Sequence, residues 1–150
     1  YNRTYDLHTR IVRIFNTFGP GMNHLFISDM INKIKQSGDE IILRGSGNQI
    51  RDYVYIDDLI EAIYFILSYG SPGEDYNICS GEKHRLKKIV EHLINIIGKP
   101  NIKIKCDNKK YKGDIEKWYG SPKKLNKIGF NQKITLKEGL KKIIEQEKND

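Results

Sequence analysis

Two polar residues of the chain, Arg51 and Asn16, have the chemistry needed to bind a phosphorylated or hydroxylated small molecule. Arg51 is followed by Asp52 and an aromatic-aliphatic run, and its planar guanidinium offers a fork of donors that matches phosphate oxygens. Asn16 follows an apolar run at residues 11–15, and its side-chain amide both donates and accepts, which suits a sugar hydroxyl or a phosphate oxygen. Spacing alone leaves simpler interpretations open, namely an Arg–Asp ion pair and an Asn that caps a turn.

The remaining polar residues do not form a recognisable catalytic or metal site. Asp57 and Asp58 are adjacent at a predicted helix start, where capping explains them better than acid/base chemistry. The four histidines are scattered at positions 8, 24, 84 and 92, and none has a ligand partner three or four residues away. No Gly-x-Ser-x-Gly or Cys/His arrangement indicates a hydrolase. We therefore predict no catalytic residue and no metal site within the chain.

Composition narrows the classes of protein to which the chain can belong. It has 150 residues and a net charge of +7, which fits one basic domain or one lobe of a larger domain. No apolar run reaches about 18 residues, so we predict no membrane span. Because the basic segments lack aromatics arranged for stacking, we predict solvated lysines and no nucleic-acid site. Cys79 and Cys106 form no CxxC motif, which is typical of a reduced cytoplasmic protein.

Apolar periodicity and turn residues predict alternating strands and helices without an internal repeat or linker. We therefore predict one α/β unit over residues 1–150. Strands are predicted at residues 11–15 (buried), 40–43, 53–56, 75–79 and near 102–104. Helices are predicted at residues 26–34, from Asp57 or Asp58 to 67, at 86–97, after Ser121-Pro122, and at Leu136–Gln146.

Two motifs taken together resemble one known family. Residues 13–21, Arg-Ile-Phe-Asn-Thr-Phe-Gly-Pro-Gly, and residues 45–58, with Arg-Asp-Tyr-Val-Tyr-Ile-Asp-Asp at their end, are similar to NAD-dependent nucleotide-sugar epimerases and dehydratases. These enzymes belong to the extended short-chain dehydrogenase/reductase family. The resemblance runs from about residue 10 to the last helix. It implies the C-terminal part of a Rossmann-type fold, with the last core strands and a small mixed substrate-binding lobe, and a nucleotide-sugar substrate.

The resemblance also implies roles for individual residues. Asn16 would contact the sugar diphosphate and Arg51 the nucleotide diphosphate. Ile14 and Phe15 would line the nicotinamide end of the cofactor, which is NAD in the intact protein. Asp114, at the end of Lys109-Lys-Tyr-Lys-Gly-Asp114, would bond the nucleotide ribose.

Two positions near the nucleotide depart from the family pattern. Ile42 would form an apolar wall for the base, but Arg44 stands where the family often has an aromatic residue. Tyr111 stands where the family has an arginine that assists a phosphate. Lys110 or Lys112 would supply that charge, although a lysine is a point charge without the bidentate fork.

Two parts of the family's catalytic machinery have no counterpart in the sequence. There is no glycine-rich dinucleotide fingerprint and no Tyr-x-x-x-Lys pair, and position 5 is Tyr, not Lys. We therefore expect a C-terminal substrate-binding portion, with the NAD-binding N-terminal portion outside this chain. Such a portion would be inactive alone and would not form the homodimer expected of the intact protein. It would also leave the strand at residues 11–15 with an exposed edge or face.

The resemblance leaves several functions open. A UDP-glucose 4-epimerase-like enzyme is our first choice. The sequence of residues 13–20 also resembles that of UDP-glucuronate decarboxylases. A GDP- or CDP-sugar enzyme is a further alternative. Outside the enzymes, the chain could be a non-catalytic sugar-nucleotide sensor or a nucleic-acid binding module.

Overall fold

The protein is described by a computed structural model that covers residues 2–148, with six helices and nine strands in that range. In chain order they are α1 (Asn2–Tyr5), β1 (Ile11–Ile14), β2 (Asn16–Phe18), α2 (Phe26–Gln36), β3 (Glu40–Leu43), β4 (Ile50–Arg51), β5 (Tyr53–Tyr55), α3 (Ile56–Tyr69), β6 (Asp75–Ile78), β7 (His84–Arg85), α4 (Leu86–Ile97), β8 (Lys103–Cys106), β9 (Lys117–Trp118), α5 (Lys123–Lys127) and α6 (Leu136–Gln146).

The strands form four small sheets, most of them parallel. β1 pairs with β6, β2 with β5, and β3 with β8, each in parallel. β4 lies at the centre of a mixed sheet, antiparallel to β7 and parallel to β9. The β2–β5 register places Asn16 opposite Tyr53, only two residues beyond Arg51. The topology thus brings Asn16 close to Arg51, although the two residues lie in different sheets.

Two hydrophobic clusters hold these elements together. The larger one packs α2, α4 and α6 against β3 and β5, with Ile34, Ile89 and Leu140 fully buried. The smaller one packs α3 and α5 against β6, around Ala62. Ile56 contacts both clusters. The apolar spacing in α4 and α6 predicts the buried faces that the structure shows.

The start of α3 differs from the prediction. The strand over residues 53–56 ends at Tyr55, and the helix begins at Ile56 without a side-chain cap. Asp58 is buried and does not cap its own helix. Its carboxylate instead accepts hydrogen bonds from the backbone N–H groups of Lys133 and Ile134, and the bond from Ile134 is the shortest, at 2.9 Å. Asp58 therefore ties α3 to the segment that leads into α6.

The prediction that residues 11–15 are buried is wrong for β1. Ile11 is 57% exposed and Ile14 is 47% exposed. Within residues 2–148, β1 pairs only with β6, and none of its side chains is buried. This matches the expectation of an exposed strand edge or face.

Sequence reasoning missed β2, β4, β7 and β9, which have only two or three residues each. Such short strands carry too few residues to show an alternating pattern. The helix after residue 122 also begins without the predicted Ser121 cap, since Pro122 occupies the N-cap position.

Cys79 and Cys106 are both free thiols. No helix in the described range is long and apolar enough to cross a membrane.

Candidate functional site

Arg51 is the last residue of β4, and three hydrogen bonds hold its side chain. Its Nη1 donates to the carbonyl oxygens of Ile50, at 2.9 Å, and Ile115, at 2.6 Å. Its Nη2 donates to Oδ1 of Asp114 at 3.1 Å. A guanidinium has five N–H donors, so these three bonds leave donors available for an anion. These bonds fix the direction of the Arg51 side chain, which is still 17% exposed to solvent.

Asn16 is oriented by the neighbouring strand. Its Nδ2 donates to the backbone carbonyl of Asp52 at 2.7 Å, which leaves its Oδ1 and a second N–H for a ligand. Asn16, Arg51, Asp114 and Trp118, with Gly113 and Ile115, line a cavity of about 270 Å³, which we call the Arg51 cavity. The structure therefore brings together three of the residues predicted from the sequence.

A larger cavity of about 590 Å³ adjoins the first and shares Asp114 with it. We call it the Gln49 cavity. Its charged lining residues are four cations and two carboxylates, namely Arg85, Lys109, Lys110, Lys117, Asp114 and Glu116. An excess of positive charge in a concave site attracts an anionic ligand.

A third cavity of about 260 Å³ shares Asn16 with the Arg51 cavity. It lies between β2 and the N-terminal half of α2, and Phe18, Phe26 and Ile31 supply much of its apolar wall. Asn16 and Asp114 thus each line two of the three cavities.

Asp114 is fixed from both sides. Its Oδ1 accepts from Arg51, and its Oδ2 accepts from Nε2 of Gln49 at 2.8 Å. Gly113, with a φ of 85°, provides the left-handed turn that precedes it. Sequence reasoning missed Gln49, because a glutamine between a glycine-rich turn and a two-residue strand shows no pattern of its own.

Asp52 follows Arg51 and accepts from Asn16 through its backbone carbonyl, and it was also missed as a site residue. It is fully buried, and its carboxylate accepts four hydrogen bonds. The donors are the backbone N–H and hydroxyl of Ser80, at 2.8 and 2.7 Å, and the backbone N–H groups of Gly81 and Gly120. Asp52 therefore joins the segments around Ser80 and Gly120 to the strand residues next to Arg51. The Arg51 side chain pairs with Asp114, so an ion pair between neighbouring residues is not the role of Asp52.

Arg44 and Tyr111, the two departures from the family pattern, contact each other. The Arg44 guanidinium lies over the Tyr111 ring, 5.0 Å from its centroid. The Tyr111 hydroxyl donates to Oδ2 of Asp107 at 2.5 Å, which raises the pKa of Tyr111 and lowers that of Asp107. Tyr111 lines the Gln49 cavity, whereas Arg44 lines none of the three cavities. Ile42, which is 58% exposed, and Lys112 line none of the three cavities.

The two residues expected at the nicotinamide end are placed differently. The Phe15 ring lies 5.6 Å from the ring of Trp118, which lines the Arg51 cavity. Ile14 lies on the exposed face of β1 and lines none of the three cavities. Nearby, burial and the Asp52 carboxylate raise the pKa of Cys79 to about 12, which disfavours its thiolate form.

Residues 2–148 contain no group of three or more His, Cys, Asp or Glu side chains that could hold a metal ion. The site therefore offers hydrogen-bond donors, a carboxylate and lysine charges. Donors and cations of this kind match phosphate oxygens, and a carboxylate matches a hydroxyl group.

Comparison with known proteins gives consistent results. Residues 1–79 match the sequence profile of the NAD dependent epimerase/dehydratase family. A putative UDP-glucose 4-epimerase from Methanocaldococcus jannaschii is 31% identical over all of this chain and 49% of its own length. The human dTDP-D-glucose 4,6-dehydratase is 29% identical over 97% of this chain and 43% of its own length.

The fold agrees with solved structures of the same class. The UDP-glucose 4-epimerase of Thermotoga maritima, solved with UDP-glucose, superposes with a TM-score of 0.85 at 27% identity. The match covers 99% of this chain and 48% of that protein. It confirms the predicted fold class. The chain spans about half or less of the length of the relatives it matches.

Proposed function

The chain belongs to the NAD-dependent epimerase/dehydratase family, and from this premise we propose that it binds the nucleotide-diphosphate sugar on which an NAD-dependent epimerase or dehydratase acts. A UDP-glucose 4-epimerase-like activity of the whole protein is our first choice. The observation that carries the proposal is the convergence of Asn16, Arg51 and Asp114 on one cavity, although they come from three separate parts of the sequence.

Each of these side chains suits one part of the ligand. The free N–H donors of Arg51 and the amide of Asn16 suit the diphosphate, since both can donate to phosphate oxygens. The Asp114 carboxylate accepts only and therefore suits the ribose hydroxyls. The cationic lining of the Gln49 cavity favours an anionic nucleotide beside it. In this proposal Arg44 and Ile42 flank the base, and Lys112 adds charge at the entrance.

Cofactor binding is proposed to lie mainly outside this chain. When bound, NAD supplies a hydride acceptor for transient oxidation of the sugar. Residues 1–150 would form one substrate-binding unit, and an N-terminal portion of the protein would hold most of the NAD. Phe15 fits the nicotinamide end, because it packs on Trp118 beside the Arg51 cavity, and Ile14 would join it once β1 is covered. The whole protein would be a homodimer and this chain a monomer.

A 4,6-dehydratase is the second candidate. It is favoured by the 29% identity to the dTDP-D-glucose 4,6-dehydratase over 97% of the chain. A UDP-glucuronate decarboxylase-like activity stays an alternative within the same family. All three functions would use the same binding site, so the choice between them depends on the base pocket and on residues outside this chain.

Calorimetric titration of the purified chain tests the binding proposal. We expect UDP-glucose and UDP to bind, and UMP to bind at least about tenfold more weakly, because it lacks the second phosphate that Arg51 would contact. Matched titrations with dTDP-glucose and GDP-mannose would identify the base. Absence of nucleotide-sugar binding, together with salt-sensitive binding of an oligonucleotide, would contradict the proposal and favour a nucleic-acid module.

A separate assay tests catalysis. We expect the 150-residue chain with NAD and UDP-glucose to form no epimer and no dehydration product. Measurable turnover would show that residues within this chain carry the chemistry.

A further inference from the structure

Asp52 lines none of the three cavities, yet its main chain is bonded to two residues that line the Arg51 cavity. Its backbone N–H donates to the carbonyl of Trp118 at 3.1 Å, and its own carbonyl accepts from the Asn16 side chain at 2.7 Å. Arg51 is the residue before it in the chain. Asn16, Arg51 and Trp118 therefore all depend on where the main chain of Asp52 lies.

The Asp52 carboxylate fixes the position of that main chain. The residue is 0% exposed, and each of its carboxylate oxygens accepts two hydrogen bonds. Oδ1 accepts from the backbone N–H and hydroxyl of Ser80, and Oδ2 accepts from the backbone N–H groups of Gly81 and Gly120. Hydrogen bonds to an ionised acceptor are stronger than those between neutral groups. The carboxylate therefore ties the loop after β6 and the loop after β9 to the residue that joins β4 to β5.

Gly120 extends this link to the aromatic wall of the cavity. A Cβ at Gly120 would lie 2.7 Å from Cζ of Phe15 and 2.7 Å from Sγ of Cys79, so this loop packs closely on both side chains. The Phe15 ring in turn lies 5.6 Å from the ring of Trp118. A shift of the loop after β9 would therefore also shift the Trp118 ring.

We propose that Asp52 is a positioning residue for the ligand, whose carboxylate sets the spacing of Asn16, Arg51 and Trp118 around the Arg51 cavity. Asp52 itself does not touch the ligand. The inference rests on the proposed function, since the ligand is the nucleotide-diphosphate sugar of that proposal. Side chains that bind a ligand need such support, because small displacements weaken their contacts with it.

Replacement of Asp52 by Asn removes this support without changing any side chain that lines a cavity. The new amide is close in shape to the carboxylate, but its nitrogen is a donor and would face the N–H groups of Ser80 or of Gly81 and Gly120. At least one loop must then move away from residue 52.

The matched control is Asp58→Asn. Asp58 is also a fully buried carboxylate that accepts backbone N–H groups, those of Lys133 and Ile134, and it lines none of the three cavities. Both variants should lose stability, but only Asp52→Asn should alter the site. Thermal melts identify a temperature at which every form is folded, and all measurements are made there.

The first measurement is calorimetric titration of each form with UDP-glucose and with dTDP-glucose. For the nucleotide sugar that the unaltered chain binds, we expect Asp52→Asn to weaken binding about 5- to 20-fold. We expect Asp58→Asn to stay within about twofold of the unaltered chain. Equal affinities of the two variants would overturn the proposal.

The second measurement needs no ligand. Trp118 is the single tryptophan of the sequence, so tryptophan fluorescence reports on the wall of the Arg51 cavity alone. We expect the emission of Asp52→Asn to move to longer wavelength as the Trp118 ring loses its contact with Phe15, while Asp58→Asn keeps the emission of the unaltered chain. An unchanged emission spectrum of folded Asp52→Asn would also overturn the proposal.

If Asp52→Asn does not fold, Ser80→Ala decides, because it removes one of the four bonds to the carboxylate and leaves the charge in place. Its control is Ser37→Ala, whose hydroxyl donates to the Lys33 carbonyl. We expect Ser80→Ala to bind about threefold more weakly than Ser37→Ala, and equal affinities would contradict the inference. If the unaltered chain binds neither nucleotide sugar, the proposed function fails and the inference with it. If it binds one and the variants do not differ from their controls, only the inference fails.

Discussion

The guanidinium of Arg51 donates to the carboxylate of Asp114 across 3.1 Å, although 63 positions separate the two residues in sequence. Gln49 holds the opposite oxygen of Asp114, so Gln49, Asp114 and Arg51 form one hydrogen-bonded chain between two cavities. Both side chains of the pair are partly exposed, so solvent screens their attraction. The pair's main effect is to aim the guanidinium.

Replacement of Arg51 by Lys should weaken UDP-glucose binding about tenfold. A lysine keeps the charge but cannot donate to two carbonyls, to Asp114 and to a phosphate at the same time. The measurement is calorimetric titration. Arg10→Lys is the matched control, because Arg10 donates to the carbonyls of Gly70 and His8 and lines none of the three cavities. Equal affinities for the two variants would contradict the role given to Arg51.

Replacement of Asp52 by Asn should destabilise the protein by about 2–3 kcal/mol. The new amide group would point an N–H toward donors at Ser80, Gly81 or Gly120 and leave them unpaired. Urea unfolding measures the loss. Asp57→Asn is the control, since Asp57 is exposed and close in sequence. A loss no larger than that of the control would mean that the buried carboxylate is unimportant for stability.

Replacement of Gly139 by Ala should destabilise the protein by about 1–3 kcal/mol, although alanine favours helices. A Cβ at this position in α6 would lie 2.6 Å from Cζ of Phe18 and 2.7 Å from Cδ2 of Tyr55, both buried rings. Gly38→Ala is the control, because its Cβ would meet no atom within 4 Å. Thermal melts compare the two, and a neutral Gly139→Ala would mean that the rings move aside easily.

Thr135 caps α6 and provides a pH-dependent contribution to stability. Its hydroxyl accepts from the backbone N–H of Glu138 and donates to the Glu138 carboxylate, which lowers the pKa of Glu138. A lowered pKa stabilises the fold above the unfolded value of about 4.5, and this contribution is lost as the pH falls through the folded value.

We therefore expect Thr135→Ala to lose about 1 kcal/mol at pH 7, and the loss to shrink below about pH 4.5. Ser37→Ala is the control, because the Ser37 hydroxyl donates to the Lys33 carbonyl and involves no titrating group. Chemical unfolding at several pH values makes the comparison. A loss for Thr135→Ala that does not change with pH would contradict the coupling to Glu138.

The two cysteines should differ in reactivity toward iodoacetamide at pH 8. Cys79 is buried, and burial together with the Asp52 carboxylate raises its pKa to about 12, so almost none of it is thiolate. Cys106 is only partly buried and should react first. Mass spectrometry of timed samples measures the order, and rapid labelling of Cys79 in the folded protein would contradict its placement.

The helices were largely predictable because their apolar residues recur at helical spacing. Leu136–Gln146 has the predicted bounds, and the helix predicted at residues 86–97 is α4. The burial of β1 was not predictable in the same way. Its apolar residues predict a strand, but whether a face is covered depends on the elements that pack against it, and all four β1 side chains are exposed.

The site was predictable only where a side chain has distinctive chemistry. Asn16, Arg51 and Asp114 were identified by their donors and acceptors and by the resemblance, and they line one cavity. Gln49 and Asp52 were missed, because their importance comes from contacts with residues up to 68 positions away. Those contacts exist only after folding.

Ile56 is the one described residue that packs against both hydrophobic clusters without being central to either. It follows Tyr55 directly and is the first residue of α3, so the start of this helix packs against both clusters. Loss of either cluster would therefore expose part of the other. We expect the protein to melt in one cooperative step, with calorimetric and van't Hoff enthalpies that agree.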